Sequence, residues 1–152
     1  MKRRKKRRQN AAPPANREGA NGVLTILPME DREREEELLK SLPAEREDNA
    51  RILMMSDGQE ELGWVAVDMV HSVLRMLHIE VPGAEPDKLS GEAVFVADSL
   101  MRAAASYGAT VGAYRIRSME PAYNEFLRLR GFTPSETGAE TGLGTIVKYT
   151  GS

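Results

Sequence analysis

The sequence predicts an α+β fold in which a mixed, mostly antiparallel sheet is flanked by helices. Three observations carry that expectation. Between Arg51 and Val81 the apolar residues fall into three consecutive runs separated by short turns, the pattern of an antiparallel meander. From Gly91 the apolar period changes to three and four, as on one face of a helix. Beyond that helix, strand-like and helix-like segments alternate, and a helix between two strands makes them parallel neighbours.

The elements follow in the order β-α-β-β-β-α-β-α-β. "GVLTILP" (residues 22–28) is a β-branched and aliphatic run closed by proline, a first strand. "EDREREEELLKSLP" reads as a helix capped by Asp31 and stopped by Pro43, with acidic residues crowding its first turns as the helix dipole favours. Its apolar face is thin (Leu38, Leu39, Leu42), which places it at the surface. Residues 51–55 and 62–70 form a hairpin around the turn-rich "SDGQEE". Residues 73–81 supply a third strand on which Leu77 and Ile79 share one face and His78 and Glu80 the other. Trp64, Met54, Met55, Met69 and Met76 are expected in the core.

"PGAEPDKLS" then breaks regularity. The best-defined helix follows, with Ala93, Val96, Ala97, Leu100, Met101 and Ala104 on one face, Ser90 as N-cap and Gly108 as C-terminal stop. A strand over 110–116, a helix over 120–132 and a last strand in "GTIVKYT" (144–150) complete the chain. No internal repeat is present.

Composition narrows the function. The 152 residues suit one domain. With no cysteine, disulfides, thiolate nucleophiles and thiolate metal sites are excluded, and two histidines without zinc-binding spacing argue against a metal. No apolar stretch approaches the ~20 residues of a membrane-spanning helix, and the N-terminus lacks the apolar core of a secretory signal, so a cytoplasmic protein is expected. The net charge of −2 hides an asymmetry. "KRRKKRR", from Lys2 to Arg8, holds seven positive charges, and subtracting them leaves −9 on the remainder. Residues 1–21 therefore read as a basic, disordered tail and linker, and residues 22–152 as the folded domain. Such a tail either solubilises the chain or binds nucleic acid or another anionic surface by counterion release.

"KLSGEA" (residues 88–93) admits two readings, a plain helix start or a phosphate cradle, because a helix N-terminus offers unpaired N–H groups and a positive dipole end to either. Its surroundings extend the comparison. "EELGWVAV", "LHIEVP" and "FLRLRGF", with "KLSGEA" between a strand and the longest helix, resemble the third strand, fourth strand, terminal Gly-Phe helix and pyrophosphate loop of the GCN5-related N-acetyltransferase superfamily. The resemblance covers roughly residues 23–149.

It implies transfer of an acetyl group from acetyl-CoA to a primary amine by direct attack in a ternary complex. Lys88, Leu89, Ser90, Gly91, Glu92 and Ala93 would line the pyrophosphate, and Asn124 would face the cofactor from the last helix. The main chain at Leu77 and Ile79 would offer an N–H to the thioester carbonyl. Glu80 and His78 are the candidate bases, alongside a reading in which both simply line a sheet face. Tyr123 is the candidate acid for the leaving thiolate, alongside a reading in which it is simply a packed aromatic, since the position usual for that tyrosine holds Leu127, and Glu120 stands where the superfamily often has asparagine. The fold often pairs as a homodimer. The alternatives are a catalytically degenerate member acting as a binding or regulatory module, or a nucleic-acid- or ribosome-associated protein working through its tail.

Overall fold

In the computed structural model, which describes residues 23–147, seven strands form one sheet in the order β1-β2-β3-β4-β5-β7-β6. They are β1 (Leu24–Pro28), β2 (Arg51–Asp57), β3 (Glu60–Val70), β4 (Val73–Glu80), β5 (Arg115–Ser118), β6 (Thr133–Ser135) and β7 (Gly138–Gly142). Helices α1 (Arg32–Lys40), α2 (Glu92–Val111) and α3 (Asn124–Arg128) flank the sheet. Every neighbouring pair is antiparallel except β4 and β5, which the α2 crossover makes parallel. The α+β expectation holds. The block from Lys2 to Arg8 and residues 148–152 lie outside the described residues.

α2 provides the main core. Val96, Ala97, Leu100, Met101 and Ala104 are buried in one cluster with Val65, Val67, Leu74, Met76 and Ile79 of β3 and β4. Spacings of three and four bring those side chains to one face, and each fully buried Leu or Met contributes ~1.5–3 kcal/mol. Two glycines allow the close approach. A Cβ on Gly63 would stand 2.6 Å from the Glu80 carbonyl oxygen, and one on Gly108 would stand 3.1 Å from the Leu74 Cβ.

The other sheet face carries a smaller cluster, Met29, Leu39, Ala50, Ile52, Met54, Ala66 and Leu77, beside α1. Asp31 caps α1 as expected, its Oδ1 accepting the Arg34 N–H at 3.0 Å. Glu35, on the buried side of α1, ties the helix to β2 by accepting from the Ile52 N–H (2.7 Å) and Arg51 Nε (2.9 Å).

Several boundaries depart from the sequence reading. Gly108 is not the stop of α2, because the missing Cβ serves packing against Leu74; the left-handed residue is Gly112, φ +97°. Since the helix runs on to Val111, the following strand starts at Arg115. Ser90 does not cap α2. Gly91 takes the N-cap position with φ +58° and ψ −131°, and no side chain caps the helix. The helix expected over 120–132 is a 3-10 turn, Pro121–Tyr123, followed by the short α3.

"GTIVKYT" forms no strand among its described residues: Leu143–Thr145 is a 3-10 turn, and Leu143 and Ile146 enter the core. The place beside β5 belongs to β7, because Gly138 lets the chain pass where a Cβ would stand 1.8 Å from the Ser118 carbonyl oxygen. Finally, Leu77 and Ile79 lie in different clusters. A bulge opposite Ala66 and Val67 inserts Leu77 and breaks the alternation.

Candidate active site

The site forms where β4 and β5 part. Their pairing ends at Met76 opposite Ser118, and one further bond joins the Met119 N–H to the Met76 carbonyl at 3.0 Å. β4 continues through Leu77–Glu80 while the chain after β5 turns into the 3-10 turn. The bulge at Leu77 aims the end of β4. Beyond it His78 stands opposite Ala66 and Glu80 opposite Trp64, and the Trp64 ring meets the His78 ring edge-on at 5.2 Å.

His78 is held from both ends. Its Nδ1 lies 2.5 Å from Glu120 Oε2, and its Nε2 lies 2.7 Å from Glu80 Oε1. The second Glu120 oxygen accepts the Ile79 N–H at 3.0 Å. Partial burial disfavours the imidazolium, but the hydrogen bonds and charges of Glu120 and Glu80 outweigh it and raise the ring's affinity for a proton. Tyr123 is buried and donates its O–H to the Ile79 carbonyl at 2.7 Å. Burial, and then the charges of Glu120 and Glu80, push its phenol well above the ordinary tyrosine range, so it keeps its proton.

The residues expected around the pyrophosphate line the approach to α2. Lys88 is exposed, 3.8 Å from Glu85, while Leu89 packs on the main core. Ser90 and Glu92 are exposed. The Ala93 and Val94 N–H groups turn back to the carbonyls of Ser90 and Gly91, both at 3.1 Å. Gly91 leaves open backbone, with nothing within 4 Å of where a Cβ would stand. Asn124 is committed elsewhere, donating Nδ2 to the Ser135 carbonyl at 2.8 Å, and its buried Oδ1 has no hydrogen-bond partner.

The fold thus gathers His78, Ile79, Glu80 and Tyr123 at one point and places Lys88 to Ala93 at the neighbouring helix start. It also brings in two residues that sequence reasoning did not assign to the site. Glu120 lies 42 residues from His78, a separation no local pattern bridges, and the sequence marks it only as a departure from asparagine. Trp64, a core residue by the sequence pattern, is only partly buried, and its ring meets that of His78.

The open backbone at Gly91 suits a diphosphate drawn close to the chain. The main-chain groups of Ile79 are the right type for an acyl-CoA, but both are already bonded to side chains. Among the described residues no His, Asp and Glu group has an arrangement that could hold a metal ion. None of their helices is long and apolar enough to cross a membrane.

No protein-family model and no curated protein sequence matches the chain. Its fold does match a solved structure, that of a Klebsiella pneumoniae protein put forward as an acyl-CoA N-acyltransferase, at TM-score 0.53 and 14% identity over 80% of this chain and 98% of that one. At that identity the likeness is one of fold. The fold is the one the sequence resemblance implied, that of the GCN5-related N-acetyltransferases.

Proposed function

We propose that the protein is an N-acyltransferase that moves an acetyl group from acetyl-CoA to a primary amine. The observation that carries this reading is the Glu80–His78–Glu120 cluster at the parted end of β4, on a fold shared with an acyl-CoA N-acyltransferase candidate. An acceptor amine with a pKa of about 10.4 must lose a proton before it can attack, and the cluster is built to take one. Glu80, the most exposed of the three, receives the proton from the ammonium. In molecules whose ring is neutral and donates Nδ1–H to Glu120, His78 then accepts it on Nε2, and Glu120 balances the resulting imidazolium.

The acyl-CoA supplies the activated thioester. Its carbonyl would use the Ile79 N–H, a fixed main-chain donor, to stabilise developing negative charge. Tyr123 keeps the proton that a departing thiolate needs, and delivering it requires exchange of its bond to the Ile79 carbonyl. Lys88 and the Gly91 backbone would receive the diphosphate. Thermal unfolding with acetyl-CoA, combined with thiol release over a panel of amines, tests the reading. A raised Tm and turnover that falls at least about tenfold in Glu80→Gln are expected; no shift at millimolar acetyl-CoA contradicts it.

The engagement of both Ile79 main-chain groups by side chains favours a second reading, a catalytically silent module of the same fold. CoA binding without turnover of any amine would select it.

A further inference from the structure

We propose that Glu120 is an internal stand-in for the acyl carbonyl: the chain closes its own donor groove at rest, and an acyl-CoA enters by displacing the Glu120 carboxylate from the Ile79 N–H. This rests on the acyltransferase reading and adds to it the residue that sets discrimination between acyl-CoA and free CoA.

Three observations lead there. First, where β4 and β5 part, the strand edge is not left open. One short segment satisfies both polar groups of Ile79, with Glu120 Oε1 on its N–H at 3.0 Å and the Tyr123 hydroxyl on its carbonyl at 2.7 Å. A carboxylate oxygen only accepts, as a thioester carbonyl oxygen does, so Glu120 occupies the position with the same hydrogen-bonding chemistry.

Second, the backbone of Glu120 is pinned, while its carboxyl is held only by two hydrogen bonds, from His78 Nδ1 and the Ile79 N–H. The Glu120 N–H bonds to Ser118 Oγ at 3.1 Å, and Ser118 is fully buried. The Glu120 side chain itself keeps 28% of its surface exposed. Rotation about side-chain bonds is enough to release Ile79.

Third, the connection from β4 to α2 folds over the same place. Its 3-10 turn, Pro86–Lys88, packs against the Pro121–Tyr123 turn and against α3. The segment that would receive the diphosphate therefore rests on the segment carrying Glu120 and Tyr123, so one ligand would reach both.

Free CoA has no acyl carbonyl and gains nothing from the released N–H, whereas acetyl-CoA does. Glu120 also holds His78 Nδ1, which makes it a positioning residue, and removing it should separate binding from turnover. The test is calorimetric titration of the full chain, wild type, Glu120→Ala and Glu120→Gln, with acetyl-CoA and with CoA. Glu120→Ala should bind acetyl-CoA about tenfold tighter than wild type, with a much smaller change for CoA, while turnover falls. Glu120→Gln, which keeps the volume and loses the charge, should move the same way by less, and it decides the matter if the alanine variant does not fold. Acetyl-CoA affinity that is unchanged or weaker in both variants, with wild type binding, overturns the stand-in and leaves the acyltransferase reading intact. Absence of binding by all three proteins overturns both.

Discussion

His78 offers a test of the site that needs no ligand. Clamped between Glu120 and Glu80, its ring binds a proton more tightly in the folded chain than in the unfolded one. A raised folded-state pKa stabilises the protein fully below the unfolded value of about 6.5, and that contribution is lost as pH rises through the folded value. The stability advantage of wild type over His78→Gln in urea melts should therefore shrink as pH rises above about 6.5. A difference that stays constant with pH rejects the clamp. The clamp shows what sequence hides at this scale. His78 and Glu80 were legible as a pair two residues apart on one strand. Glu120, which supplies the other half of the clamp, reaches the ring only because the crossover through α2 sets β5 beside β4.

Among the elements, β3, β4 and α2 form the wedge that aims the site, and Gly63 sits at its contact point. A Cβ there would meet the Glu80 carbonyl oxygen at 2.6 Å and Val96 Cγ1 at 3.0 Å, and the first of these is backbone that cannot swing away. Gly63→Ala should cost ~1–3 kcal/mol of stability and, by moving the end of β4, weaken acetyl-CoA binding more than CoA binding. Denaturant melts with paired titrations check this, and an unchanged melt contradicts the packing account.

The central elements were readable because each has one periodicity and one buried face. The C-terminal hairpin was not, since "TPSETGAETG" contains little that favours a strand and β7 is specified by close approach to Ser118. "GTIVKYT" looked like a strand by composition, yet Leu143 and Ile146 serve the core from a turn. The bulge at Leu77 was equally hidden, because it exists only relative to β3.

At the scale of the whole molecule, the order of elements carried the fold. A meander, one long helix and a parallel strand leave few ways to close a sheet, and the arrangement found matches that of an acyl-CoA N-acyltransferase candidate. The fold gives the place for chemistry, the gap between β4 and β5, and only the side chains there can give the chemistry itself. Here the gap holds the Glu80–His78–Glu120 cluster and the Ile79 N–H bonded to the Glu120 carboxylate. The most direct measurement follows the backbone amide of Ile79 by ¹⁵N-resolved NMR as acetyl-CoA is added. Saturable shifts that centre on Ile79 and extend to residues 88–93, with smaller changes at Ile79 for free CoA, are the predicted result. An Ile79 amide indifferent to millimolar acetyl-CoA, or shifts confined to another face of the sheet, would contradict the account.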